Sequence, residues 1–192
     1  MNALARRWFW IGCGFEAALG VLVLPLGYGL GVDWVALTRV DPARDAVVGL
    51  AVCLPLLALP WAVRHAPGRL FRDVREVVEK HLRPVLNRWS AGQMLAIALL
   101  AGVAEEALFR GALQGGLTAR LGTEAALGVA SVLFGLCHAL NRAYALLAVG
   151  MGLVLGLEFQ YTGTVWAPAL THAGYDFFAL LYLLRWARPA GR

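Results

Sequence analysis

Five long apolar runs follow one another along the chain, at Trp8–Val32, Ala46–Val63, Trp89–Ala119, Leu121–Asn141 and Ala143–Leu184. A helix rising 1.5 Å per residue crosses roughly 30 Å of hydrocarbon in about 20 residues. The last run is long enough for two crossings, and Gln160-Tyr-Thr-Gly-Thr164 is its natural break. The pattern predicts six helices, at roughly 8–31, 46–64, 92–118, 122–140, 143–160 and 165–185. The expected fold class is an all-α polytopic membrane bundle, one integral membrane domain over residues 1–192.

Segment 64–90 is the sizeable polar stretch. Within Phe71-Arg-Asp-Val-Arg-Glu-Val-Val-Glu-Lys-His-Leu82, residues Phe71, Val74, Val78 and Leu82 recur at helical spacing. That periodicity predicts an amphipathic helix, lying on the inner membrane surface or connecting two spans through solvent.

Composition agrees: 60% of residues are hydrophobic and the mean hydropathy is +0.66, well above a soluble domain. The net charge of +5 reads as a topology signal. With the N-terminus inside, the inner segments hold Arg6, Arg7, Arg64, Arg69, Arg72, Arg75, Lys80, Arg83, Arg88, Arg142, Arg185, Arg188 and Arg192. The outer loops hold Arg39, Arg44 and Arg120. This bias predicts both termini on the cytoplasmic side, and the expected location is a bacterial plasma (inner) membrane. No basic face of a soluble domain is visible, so a nucleic-acid partner is not expected.

Arg6-Arg7 before an apolar run resembles a signal peptide. The run is about 25 residues long and lacks a clear small-x-small site, so a retained helix is expected. Cys13, Cys53 and Cys137 have no paired spacing, which argues against disulfides or a cysteine metal site. Gly111/Gly115 and Gly152/Gly156 are spaced for close helix packing.

Against this background, Glu105-Glu106-Ala-Leu-Phe-Arg110 stands out. Ionisable groups at membrane depth are costly and usually functional. Glu106 and Arg110 share a helix face and can pair. Glu105, rotated about 100° away, has no partner in its own helix. The alternative is that all three serve only as interhelical hydrogen-bonding groups. Two further polar faces follow: Phe134 with His138, and His172 with Asp176 behind Pro168, each pair four residues apart. Pro168 suits a first helical turn, which sets His172 near a helix N-terminus.

Two chemistries fit. In one, Glu105 activates water for attack on a peptide carbonyl, His138 positions the water, and His172 with residue 176 stabilises the oxyanion. In the other, Glu105, His138 and His172 hold a divalent metal such as zinc. Glu-Glu-x-x-x-Arg, Phe-x-x-x-His and His-x-x-x-Asp/Asn on successive membrane helices resemble the CPBP intramembrane proteases, the CAAX-protease and bacteriocin-processing (Abi) group. The resemblance covers roughly residues 90–180. It implies that Glu105 is the catalytic glutamate and Glu106 the second glutamate, held by Arg110. His138 and His172 are then the histidines of the later motifs, and Asp176 stands where Asn is frequent. It further implies an intramembrane endopeptidase of the glutamate type, with no cofactor favoured over metal. The substrate would be a membrane-associated protein or peptide, and the lipid bilayer a partner. The rival from another class is a non-catalytic membrane protein, an immunity, scaffold or transport factor that binds a peptide through the same cluster.

Rise counting leaves one conflict. Glu105 falls about 20 Å from the inner end of its helix, His138 close to the inner end of its own, and His172 nearer the outer side. Convergence demands tilt, shifted helix ends or a broken helix.

Overall fold

The computed structural model describes residues 3–186. Arg188 and Arg192, counted above on the inner side, lie outside these residues. Among the described residues every regular element is helical, as expected for a membrane bundle. The order begins α1 (Ala3–Leu30), α2 (Trp34–Leu37), α3 (Pro42–Leu56) and α4 (Ala58–His65). Next come α5 (Arg69–Val77), a π-helical segment (Val78–Leu82) and α6 (Arg83–Leu86). Then α7 (Ala91–Glu106) widens into a π-helix over Ala107–Gly115 and continues as α8 (Gly116–Leu121). The chain closes with α9 (Thr123–Cys137), α10 (Arg142–Thr162), α11 (Trp166–Leu181) and a π-helical turn, Tyr182–Trp186.

Four of the six expected spans are long and apolar enough to cross a membrane: Ala3–Leu30, Pro42–His65, Ala91–Leu121 and Arg142–Thr162. α9, at 15 residues, and α11, at 16, are shorter. Local chemistry sets several ends. The second span starts at Pro42 rather than residue 46, because the Asp41 carboxylate accepts a hydrogen bond from Arg44 N at 3.2 Å and Pro42 fits the first turn. α7 starts behind a reciprocal capping box between Ser90 and Gln93. Gly163, at φ 70°, ends α10 in the left-handed conformation at the break foreseen within residues 160–164.

The two ends of the bundle differ in charge. Trp89 Nε1 donates to Ala5 O at 3.0 Å, Arg83 donates to the carbonyls of Leu183 and Leu184, and Arg185 to that of Trp89. These bonds gather the start of α1, the polar segment and the end of the last helix at one end. Arg44 and Arg120 lie at the other, donating to Tyr161 O and Leu30 O.

The polar segment is helical and amphipathic, as its spacing predicts, but its apolar face is turned onto the protein. Val74, Val77 and Val78 are buried, and Val74 joins a cluster with Val63 and Ala143. Arg75 donates to the carbonyls of Val63 and Ala66, at 2.8 and 3.0 Å. Asn141 Nδ2 donates to Asp73 O at 2.8 Å. The helix thus roofs a cavity of about 250 Å³.

Close backbone approach shapes the centre. α10 runs beside α9 and the widened part of the third span, and Gly152 and Gly156 make room there. Arg110 Nη2 donates to Gly152 O at 3.1 Å and Gln114 Nε2 to Gly156 O at 3.0 Å, the same four-residue step on both helices. α7 packs against α11 through Gly102, where an added Cβ would stand 2.8 Å from Ala169 O and 2.9 Å from Ala173 Cβ. Valine at 102 is therefore expected to destabilise the protein by about 1–3 kcal/mol through overpacking. It should also push His172 away from α7, so cleavage should fall with the melting temperature in detergent. A Gly102→Val protein with unchanged melting would contradict this packing.

Candidate active site

The depth conflict resolves through helix length. The third span runs for 31 residues, whereas α9 has only 15, about 22 Å. α9 therefore stops part-way along its neighbour, and its C-cap residue, His138, arrives level with Glu105 instead of at the inner end. α11 enters from the other side with Pro168 in its first turn and brings His172 in from the opposite direction.

All six residues singled out from sequence meet here. Glu106, with no exposure at all, accepts from His172 Nδ1 through Oε1 at 2.8 Å and stands 3.0 Å from Arg110 Nε through Oε2. His172 Nε2 faces Asp176 Oδ2 at 3.5 Å. Glu105 points its Oε2 at His138 Nε2 across 3.6 Å, and that buried oxygen has no hydrogen-bond partner among the described residues. His138 Nδ1 lies 2.8 Å from Phe134 O. A carbonyl can only accept, so Nδ1 carries the hydrogen and Nε2 is the atom turned to Glu105.

Phe134 is the common strut. Its ring stacks on His138 at 4.4 Å and meets His172 edge-on at 5.7 Å, while the Arg110 guanidinium lies 4.7 Å above it. Such cation–π and aromatic contacts hold both imidazoles in register with the buried ion pair.

The site opens on the roofed cavity. His138, His172 and Asp176 line it beside an apolar wall that includes Val74, Val78 and Met151. Glu105 is not among the lining side chains and meets the chamber through His138.

Two acids that the sequence reading passed over also lie near. Glu158 of α10 is 4% exposed, accepts from Thr171 Oγ1 at 2.8 Å, and is within electrostatic reach of Glu106 and Arg110. Glu16 of α1 is 8% exposed and within reach of Glu105, His172 and Asp176. Each is the lone acid of its own predicted helix, and that was the available signal.

For a metal, the donor set does not fit: among the described residues no three His, Cys, Asp or Glu side chains are disposed to hold one. Both His172 nitrogens face carboxylates, and His138 Nδ1 is committed to a backbone carbonyl.

No curated protein and no solved structure matches the chain. A family model does, that of the type II CAAX prenyl endopeptidases of the Rce1-like kind, over residues 87–178. The matched segment holds Glu105, Glu106, Arg110, His138, His172 and Asp176, and excludes Glu16. Residues 87–178, just under half of the chain, are thus similar to the Rce1-like type II CAAX prenyl endopeptidases, and that likeness supports an intramembrane endopeptidase.

Proposed function

We propose that the protein hydrolyses a peptide bond near the membrane-embedded or C-terminal part of a membrane-associated protein or peptide, with Glu105 as general base and no metal. The observation that carries this reading is the facing pair Glu105 Oε2 and His138 Nε2, 3.6 Å apart beside an apolar chamber. Two acceptors at that spacing fit the two hydrogens of one water. Glu105 takes a proton as the water oxygen bonds to the scissile carbonyl carbon. It returns that proton to the amide nitrogen as the carbon–nitrogen bond breaks.

His172 completes the centre. Held at Nδ1 by Glu106, it presents Nε2 to the chamber, where the 3.5 Å separation from Asp176 leaves it able to turn its hydrogen to the developing oxyanion. Asp176, in place of the Asn frequent in the family, balances the charge of His172 instead of donating to the oxyanion itself. Glu106 and Arg110 position His172. The chamber extends to Leu82, Leu86 and Leu183 at the basic end, which the positive-inside rule assigns to the cytoplasm.

Reconstitution in lipid vesicles with a membrane-anchored tail peptide tests this reading. Cleavage is expected, unchanged by a chelator such as EDTA. Intact peptide would overturn the proposed activity. Cleavage lost to chelator and restored by zinc would overturn the metal-free mechanism.

A further inference from the structure

The cations of the site are already matched, and the acids are not. Arg110 faces Glu106, and His172 stands between Glu106 and Asp176. Glu105 is left facing only His138. The remaining buried acid in reach is Glu16, whose Oε2 is enclosed and has no hydrogen-bond partner among the described residues.

The packing of α1 fixes its level. Ala5 bonds to Trp89, Gly12 abuts Ile97, and Leu30 abuts Gly116, separations of 84, 85 and 86 residues along parallel helices. That register sets Glu16 opposite residues 101–102, one turn from Glu105. Two carboxylates sharing an apolar site cannot both carry charge without a counter-ion, and sharing one proton relieves the repulsion.

We propose that Glu16 is a positioning residue of the catalytic centre, acting through Glu105. This rests on the function proposed above and extends the centre beyond the residues that the family model matches. Glu16 holds the shared proton and donates it as a hydrogen bond to Glu105. The charge on Glu105 then stays directed at His138 and the water between them. The groups within electrostatic reach of the pair are Cys13 on α1 itself, Glu106 and Arg110 on the third span, Cys137 and His138 at the end of α9, Tyr144 on α10, and His172 and Asp176 on α11.

Steady-state kinetics of Glu16→Leu, Glu16→Gln and Glu105→Gln in vesicles test the inference. Leucine keeps the volume and removes the hydrogen bond, so kcat should fall about a hundredfold while KM stays within about twofold. Glutamine still donates and should recover most of kcat. A leucine variant with near wild-type kcat would mean that Glu16 only fills space, and would overturn the inference while a dead Glu105→Gln left the proposed function standing. Activity retained in Glu105→Gln would instead overturn the function and this inference with it. Infrared spectra give a readout that needs no turnover: one carboxylic acid band should vanish in Glu16→Gln and shift in Glu105→Gln, where its hydrogen-bond acceptor changes. A band left unmoved by Glu105→Gln would overturn the hydrogen bond between the two acids.

Discussion

Replacing Glu105 with glutamine will lower the cleavage rate by about 10²–10⁴ while the protein stays folded. The carboxamide has the same shape, so the contacts of α7 with α11 through Gly102 are kept. It cannot take a proton from water, and general base catalysis of this kind is worth about 10²–10⁴ in rate. Stability should hold or rise, because Glu105 Oε2 is buried without a hydrogen-bond partner among the described residues and an amide is cheaper to bury than a carboxylate. Cleavage in vesicles and thermal unfolding in detergent measure the two effects separately. Glu105→Asp gives a graded control. Shortening the side chain by one methylene widens the 3.6 Å gap to His138, and a displacement near 1 Å can cost about a hundredfold. A Glu105→Gln protein that still cleaves would overturn Glu105 as the base, whereas peptide binding kept in Glu105→Gln with no cleavage even by the unaltered protein would favour the rival reading, a scaffold that binds peptides through its polar cluster.

The sequence exposed this site because its charges lie in the wrong solvent. Glu105, Glu106 and Arg110 fall within six consecutive positions of an apolar span, and His138, His172 and Asp176 sit at four-residue steps that put each on a defined helix face. Glu16 and Glu158 were missed for the converse reason. Each is the single acid of its own predicted helix, 8–31 for Glu16 and 143–160 for Glu158, so the helix reads as an uninterrupted span. The depth of His138 was also hidden. A six-span count assigns each helix a full crossing, and α9 ends after 15 residues. Only Asn141, which accepts from Tyr144 N at 2.8 Å to cap α10, marks the restart. The π-helical turn over Ala107–Gly115 has no sequence signature either. It follows from tertiary demands, since Arg110 and Gln114 must reach the carbonyls of α10. Likewise, residues 71–82 show an apolar face but not what it covers. That it roofs a cavity depends on α4, α10 and α11, distant in sequence.

The second large effect concerns stability. Arg110→Met should be the most damaging single exchange in the core, because it leaves the fully buried Glu106 facing His172 alone. Breaking a buried ion pair by removing one partner costs about 3–5 kcal/mol, since an uncompensated charge remains. For a chain of this size that corresponds to roughly 10 °C in melting temperature. Methionine keeps the bulk of the arginine stem, so the loss is electrostatic and not a cavity. It also removes the bond to Gly152 O and the cation above Phe134. Glu106→Gln should cost less, because Arg110 keeps its contacts with Gly152 and the Phe134 ring. The double exchange separates charge from packing. If the charge on Glu106 is what Arg110 must balance, Glu106→Gln/Arg110→Met will be more stable than Arg110→Met alone, since no unpaired carboxylate is left behind. It will still not cleave, because His172 loses the carboxylate that holds its Nδ1. A double variant that melts below both single variants would show that the pair is held by packing, and the ion pair would then not be what fixes His172 in place.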